Sequence, residues 1–193
     1  YNKIALEYID SPRMIKMNNG CENINILSMA RMAEGKNVDV VIKALACLPK
    51  HYSLTIAGDG PLLNSYQSLV QTMGLQNRVE FTGWVSNEDK EQLLRRSDLF
   101  CLPSSYDSFG MVFIEAMAFD IPVIAYGWGP IKDVVTSDIG ECCERPEVDG
   151  VLGAIEKVAS QLSRYSGNGP KKVIEHYDPD RVVNHILNVL KLK

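Results

Sequence analysis

Asp107, Ser108-Phe109-Gly110 and Glu115 fall within nine consecutive positions where an apolar run hands over to a helical period. A helix opening there leaves unpaired N–H groups and the positive end of its dipole facing outward, which is an anion site. Glu115 lies five residues beyond Gly110, about 7.5 Å along a helix, and Asp107 precedes the helix on the other side. Two carboxylates therefore bracket one phosphate locus. Carboxylates accept paired hydrogen bonds from vicinal hydroxyls, so the arrangement suits a nucleotide-sugar, with a ribose at one carboxylate, a hexose at the other and the diphosphate between. Arg31 and Lys36, after an earlier apolar run, supply full positive charge. The plainer alternatives are a cap at Asp107, a surface ion pair at Arg31 and a solvated Lys36. Glu115 sits within Val112-Phe113-Ile114-Glu115-Ala116-Met117-Ala118, too apolar for a solvated face, so an incidental role there requires a buried charge with a partner of its own.

The elements that must hold these residues alternate regularly. Strands are expected at 25–30, 53–57, 79–82, 99–102 and 121–125, with a weaker one near 141–144. Between them run helical apolar faces: Val38, Val41, Ile42, Leu45 and Leu48; Leu62, Tyr66, Leu69, Val70 and Met73; Leu93 and Leu94; 111–119; 131–135; and Leu152, Ile155, Val158, Ala159 and Leu162. Ser86-Asn87-Glu88-Asp89 resembles a capping box. Gly58-Asp59-Gly60-Pro61 is a turn, Gly74 a helix end, and Ser166-Gly167-Asn168-Gly169-Pro170 reads as a loop. Asp178-Pro179 opens a last amphipathic helix. This order predicts an α/β fold with a doubly wound, mostly parallel, Rossmann-like sheet. Residues 1–23 form a lead-in and 24–193 the domain. Ligands in such sheets bind outside the carboxyl ends of the strands, where Arg31, Lys36, Gly58, Gly60, Trp84, Val85, 104–110 and 127–130 all fall. Trp84 is expected either to touch ligand or to plug the core with its N–H bonded to backbone.

Composition narrows the partners. The 193 residues carry 20 basic and 24 acidic side chains, a net charge of -4, and contain no Lys/Arg tract, which argues against nucleic acid. Hydrophobic content of 46% excludes disorder. Five cysteines (Cys21, Cys47, Cys101, Cys142 and Cys143) lack metal-ligand spacing and fit a reducing, cytoplasmic setting. No apolar window is long enough to cross a bilayer. No Asp-x-Asp is placed to bind a metal, since Asp178-Pro179-Asp180 reads as a cap, and neither metal nor cofactor is expected. His51, His176 and His185 are expected at the surface. A dinucleotide-binding domain is disfavoured, because Ser28-Met29-Ala30-Arg31-Met32-Ala33 has no G-x-G-x-x-G. The start at Tyr1 suggests processing or a piece of a longer protein.

Ser28-Met29-Ala30-Arg31 with Lys36, Gly58-Asp59-Gly60-Pro61, Pro103-Ser104 and the run from Asp107 through Ala125 together resemble the C-terminal domain of a GT-B glycosyltransferase of family 4, glycosyl transferases group 1. The most specific part is Phe109-Gly110, Glu115-Ala116-Met117-Ala118 and Pro122-Val123-Ile124-Ala125, similar to the family's E-x7-E motif and its sequel. The resemblance implies one lobe of a retaining enzyme that transfers a hexosyl unit from a nucleotide-diphosphate sugar to a carbohydrate or lipid-linked acceptor. The acceptor would sit on a missing N-terminal lobe, without which this chain is inactive, and peripheral membrane association of the full-length protein is left open. It also implies that Arg31 and Lys36 hold the diphosphate, that Asp107 stands in for the first motif Glu near the sugar, and that Glu115 binds the ribose. The candidate donor-binding set is Arg31, Lys36, Gly58, Val85, Asp107, Ser108, Phe109, Gly110, Met111 and Glu115, with Arg31, Lys36 and Asp107 assigned to catalysis. Four positions depart from the family pattern: Asp107, Ala30 and Asp120 for Glu and two glycines, and Gly129-Pro130 for Gly-Gly. A catalytically dead nucleotide- or carbohydrate-binding module is the alternative.

Overall fold

The computed structural model describes residues 23–107 and 110–178. Ser108, Phe109, nearly all of the lead-in, His185 and the expected last helix beyond Asp178 lie outside the described residues. Six strands, β1 (Ile24–Met29), β2 (Tyr52–Ala57), β3 (Val79–Gly83), β4 (Leu99–Leu102), β5 (Val123–Tyr126) and β6 (Gly140–Cys143), pair in parallel in the order β3-β2-β1-β4-β5-β6. The α/β, doubly wound, Rossmann-like expectation holds. The central strands are apolar on both faces because helices cover both. The edge strand β3 is only partly buried, and its Glu80 pairs with Arg96 at 2.7 Å.

Eight helices are described: α1 (Val38–Cys47), α2 (Leu63–Thr72), α3 (Asn87–Arg96), α4 (Met111–Ala118), α5 (Ile131–Val134), α6 (Val148–Ala159), α7 (Leu162–Tyr165) and α8 (Asn168–His176). On one face α1 packs against α2 and α6; α4 packs on α8. On the α4 side, Arg95 of α3 lies over the Phe119 ring, 5.3 Å from its centroid. The Ser86–Asp89 capping box is formed, with Ser86 Oγ accepting from Asp89 N. Phe100 and Phe113 meet edge to face in the core, where α4 crosses β4.

One expected loop is a helix. Residues 168–170 form the first turn of α8, where Pro170 removes an N–H that would lack an intrahelical partner in any case. Gly169 lets this turn press onto α4, since a Cβ there would overlap the Met117 carbonyl. The motif departure at Asp120 belongs to the same contact. Asp120 takes the left-handed backbone conformation, φ 57, that a glycine adopts more readily, and its carboxylate accepts from Gly167 N at 2.8 Å and Ser166 Oγ at 3.2 Å. A helix start that lacks its own side-chain cap is tied down by an acid from the end of α4.

Candidate functional site

β1 and β4 are neighbours in the sheet although three helices separate them in sequence, so the strand order reverses between them. Their outgoing loops diverge and leave a crevice at the carboxyl edge. The loop after β1 is pinned to the loop after β2 by Ala30 N donating to Ala57 O, Met32 N to Asp59 O and Leu62 N to Met32 O. Gly58 permits this approach, since a Cβ at its φ of 126 would overlap the Ala30 carbonyl. Arg31, flanked by two anchored residues, points to solvent and has no ion-pair partner among the described residues. The surface ion pair considered for it is absent among the described residues.

An open cleft of about 860 Å³ follows, walled by Arg31, Gly58, Trp84, Val85, Lys90 and Glu115 among others. Glu115 forms its floor, 5% exposed. Its Oε1 accepts from Lys90 Nζ at 3.0 Å, while Oε2 is buried with no hydrogen-bond partner among the described residues. The partner required by a buried Glu115 therefore exists, and one carboxylate oxygen is still unsatisfied, which is a costly arrangement unless something fills it. Lys90 was not among the sequence candidates. Its signal was its position three and four residues before Leu93 and Leu94, which sets a lysine on the inward face of an amphipathic helix. Trp84 is not a core plug: it is 79% exposed on the cleft wall, because β3 is an edge strand and Gly83, at φ 68, turns the chain outward.

The second cluster lies where residues 33–37 meet 103–107. Ser105 N donates to Gly35 O at 2.7 Å, and Asn37 Nδ2 donates to Pro103 O at 2.7 Å and to Ser105 Oγ at 2.8 Å. Gly35 is in the left-handed conformation, and a Cβ there would strike the Tyr106 ring. Within this frame Lys36 Nζ bonds Asp107 Oδ1 at 3.1 Å and Tyr106 O at 3.3 Å, and Asp107 Oδ2 is buried with no partner among the described residues. Lys36 is thus neither solvated nor in the first turn of α1, whose N-cap is Asn37. Asp107 is not a cap either. The N-cap of α4 is Gly110, at φ 71, where a Cβ would overlap Phe113 and Ile131. Met111 is exposed just beyond it.

The structure therefore brings Arg31, Gly58, Val85 and Glu115 to one cleft and joins Lys36 to Asp107 beside it, with Gly110 and Met111 opening α4. Ser108 and Phe109 lie outside the described residues. His51 and His176 are exposed, as expected. Pro130 is the N-cap residue of α5, and Gly129 before it is uncrowded.

Comparisons with known proteins agree with this architecture. The chain is 28% identical over 173 residues to an uncharacterized glycosyltransferase of Methanocaldococcus jannaschii, covering 86% of this chain and 44% of that protein. It is 30% identical over 165 residues to the N-acetyl-alpha-D-glucosaminyl L-malate synthase of Bacillus anthracis, covering 82% and 43%. Among solved structures, Anabaena HepE in complex with UDP and glucose superposes with a TM-score of 0.79 at 22% identity, over 89% of this chain and 49% of that one. The C-terminal domain of a glycosyl transferase group 1 family protein from Francisella tularensis, LpcC, gives 0.71 at 20% identity over 82% and 88%. The fold is that of one lobe of a GT-B glycosyltransferase. The chain spans about half the length of the curated relatives it matches. Residues 16–172 match the family described as glycosyl transferases group 1, and the chain belongs to that family.

Proposed function

We propose that this chain is the donor-binding lobe of a retaining glycosyltransferase that moves a hexosyl unit from a nucleotide-diphosphate sugar to a carbohydrate or lipid-linked acceptor. The observation that carries the reading is Glu115: a nearly buried carboxylate on the floor of an open cleft, with one oxygen held by Lys90 and the other unpaired. A ribose diol supplies the hydroxyl donors that such an oxygen lacks. Gly58 and Val85 line the same cleft and lie within reach of the nucleoside. Arg31 and Lys36, with the first-turn N–H groups of α4 after Gly110 and Met111, take the charge of the diphosphate. Asp107 takes the sugar hydroxyls.

In the reaction the bond from the anomeric carbon to the diphosphate oxygen breaks while oxocarbenium character grows on the sugar, and the electron pair stays on the departing phosphate. Preorganised cations at that oxygen stabilise the transition state more than the ground state. Lys36 and Arg31 supply this charge without a metal. Acceptor binding and water exclusion fall to a second lobe, in keeping with the half-length match to the relatives. The domain runs over residues 24–193 after its lead-in. The four described cysteines are free, which supports a cytoplasmic setting, and peripheral contact of the full-length protein with a membrane is part of the reading. No helix among the described residues is long and apolar enough to cross one.

The test is a transfer assay run side by side on the 193-residue chain and the full-length protein, with UDP-, GDP- and ADP-sugars and an acceptor extract. The reading expects turnover by the full-length protein alone. Nucleotide binding without turnover in either would identify a binding module instead.

A further inference from the structure

Lys36 and Asp107 have separate tasks in the reading above, one at the phosphate and one at the sugar, yet they are bonded to each other. We propose that Asp107 is a built-in counter-ion that competes with the diphosphate for Lys36, so that the site prefers a nucleotide-sugar over the free nucleoside diphosphate. The proposal rests on the donor-binding reading and adds a specificity role that the motif does not specify.

The pair is not a chance meeting of surface side chains. Both residues sit in loops stitched together by backbone and side-chain bonds at Gly35, Asn37, Pro103 and Ser105, and both side chains are largely shielded, 22% and 17% exposed. Lys36 Nζ makes a second bond to Tyr106 O, so two of its three N–H donors are already used inside the protein. Arg31 has no such partner among the described residues. Among the described residues, a diphosphate arriving at this rim therefore finds Arg31 without an ion-pair partner and Lys36 already neutralised.

What happens next depends on what the phosphate carries. With a nucleotide-sugar, Lys36 can turn to the phosphate because the hexose hydroxyls donate to Asp107, whose Oδ2 is buried and unpaired and whose Oδ1 is then released. With a free nucleoside diphosphate no hydroxyl arrives. The terminal phosphate also carries one more negative charge, which lies toward Asp107. Like charges about 4 Å apart in water disfavour association roughly fivefold. The transfer itself creates this situation. When the anomeric C–O bond breaks, its electron pair remains on the phosphate oxygen, the acceptor oxygen bonds to the sugar and loses its proton to solvent or a base, and Asp107 is left facing a more negative group. Re-forming the Lys36–Asp107 pair then assists departure of the product.

The experiment is a double-mutant cycle on the 193-residue chain: wild type, Lys36→Ala, Asp107→Asn and the double variant, with Asp107→Ser as a second carboxylate-free form. Each is titrated calorimetrically with UDP, GDP and inorganic pyrophosphate and with UDP-glucose and GDP-mannose, and its fold is checked by circular dichroism. Asp107→Asn and Asp107→Ser should bind the nucleoside diphosphate and pyrophosphate about three- to tenfold more tightly than wild type. The gain should be clearly smaller on the Lys36→Ala background, where only the direct repulsion remains, and the nucleotide-sugars should bind no more tightly than to wild type. No gain, or a gain equally large without Lys36, overturns the counter-ion role. Lys36→Ala with undiminished affinity for every phosphate ligand would instead overturn the phosphate clamp on which the proposal rests.

Discussion

Arg31 projects from a loop anchored on both flanks and has no ion-pair partner among the described residues, whereas Lys36 meets any ligand already bonded to Asp107. The two cations should therefore contribute unequally. Arg31→Ala is expected to weaken nucleoside diphosphate binding by about 1.5–3 kcal/mol, the scale of a hydrogen bond to a charged group, and Lys36→Ala by less, because its bond to Asp107 must be exchanged first. Isothermal titration of the two variants checks the ordering, and equal or absent losses would contradict it. Glu115→Gln should weaken nucleoside diphosphate and nucleotide-sugar by similar factors, since the ribose is common to both; a loss confined to the nucleotide-sugar would move Glu115 to the hexose. Arg31, Lys36, Asp107 and Glu115 were legible in the sequence because charges beside strand ends and inside apolar helices are conspicuous. The pairings were not, since Lys36 meets Asp107 across 71 positions and Lys90 meets Glu115 across 25, and only the sheet order brings them together.

Among the described residues the elements that the alternating pattern predicted are present, and the main miss, the start of α8, has a tertiary cause. Gly167, Asn168, Gly169 and Pro170 are poor helix formers taken locally, but contact with α4 and the Asp120 carboxylate makes the turn favourable. Asp120→Ala should therefore destabilise the chain by about 1–2 kcal/mol through loss of the tie to Ser166 and Gly167. Asp120→Gly should cost less, since glycine relieves the left-handed backbone. Thermal melts check both statements: no loss in either variant would show that the tie contributes little, and the reverse order would show that the left-handed backbone at Asp120 costs nothing. The β4–β6 side of the sheet makes a separate prediction. Burial pushes the Cys101 and Cys142 thiols up and Cys143 to about 11, while Cys47 is exposed on α1. Among these four, native-state alkylation near pH 8 should label Cys47 first. The folded chain keeps Cys143 protonated when the unfolded chain has begun to lose that proton, so its stabilising share is full below about pH 9 and declines as pH rises toward 11.

On the scale of the whole molecule, the reversal of strand order between β1 and β4 sets every site element on one edge of the sheet, and the exposed large apolar side chains Trp84, Tyr106, Met111 and Trp128 all follow strands on that same edge. Parallel α/β architecture was readable from alternation alone, but the cleft was not, because its walls come from β1, β2 and β3 exits and from α3 and α4 at once. The central claim is that this edge binds the donor through Arg31 and Glu115. Its most direct test is calorimetric titration of the 193-residue chain, and of its Arg31→Ala and Glu115→Gln variants, with UDP-, GDP- and ADP-sugars. At least one donor should bind with a submillimolar Kd, and each variant should weaken it at least tenfold, about 1.4 kcal/mol. No binding at millimolar concentration, or binding that neither variant alters, would contradict it.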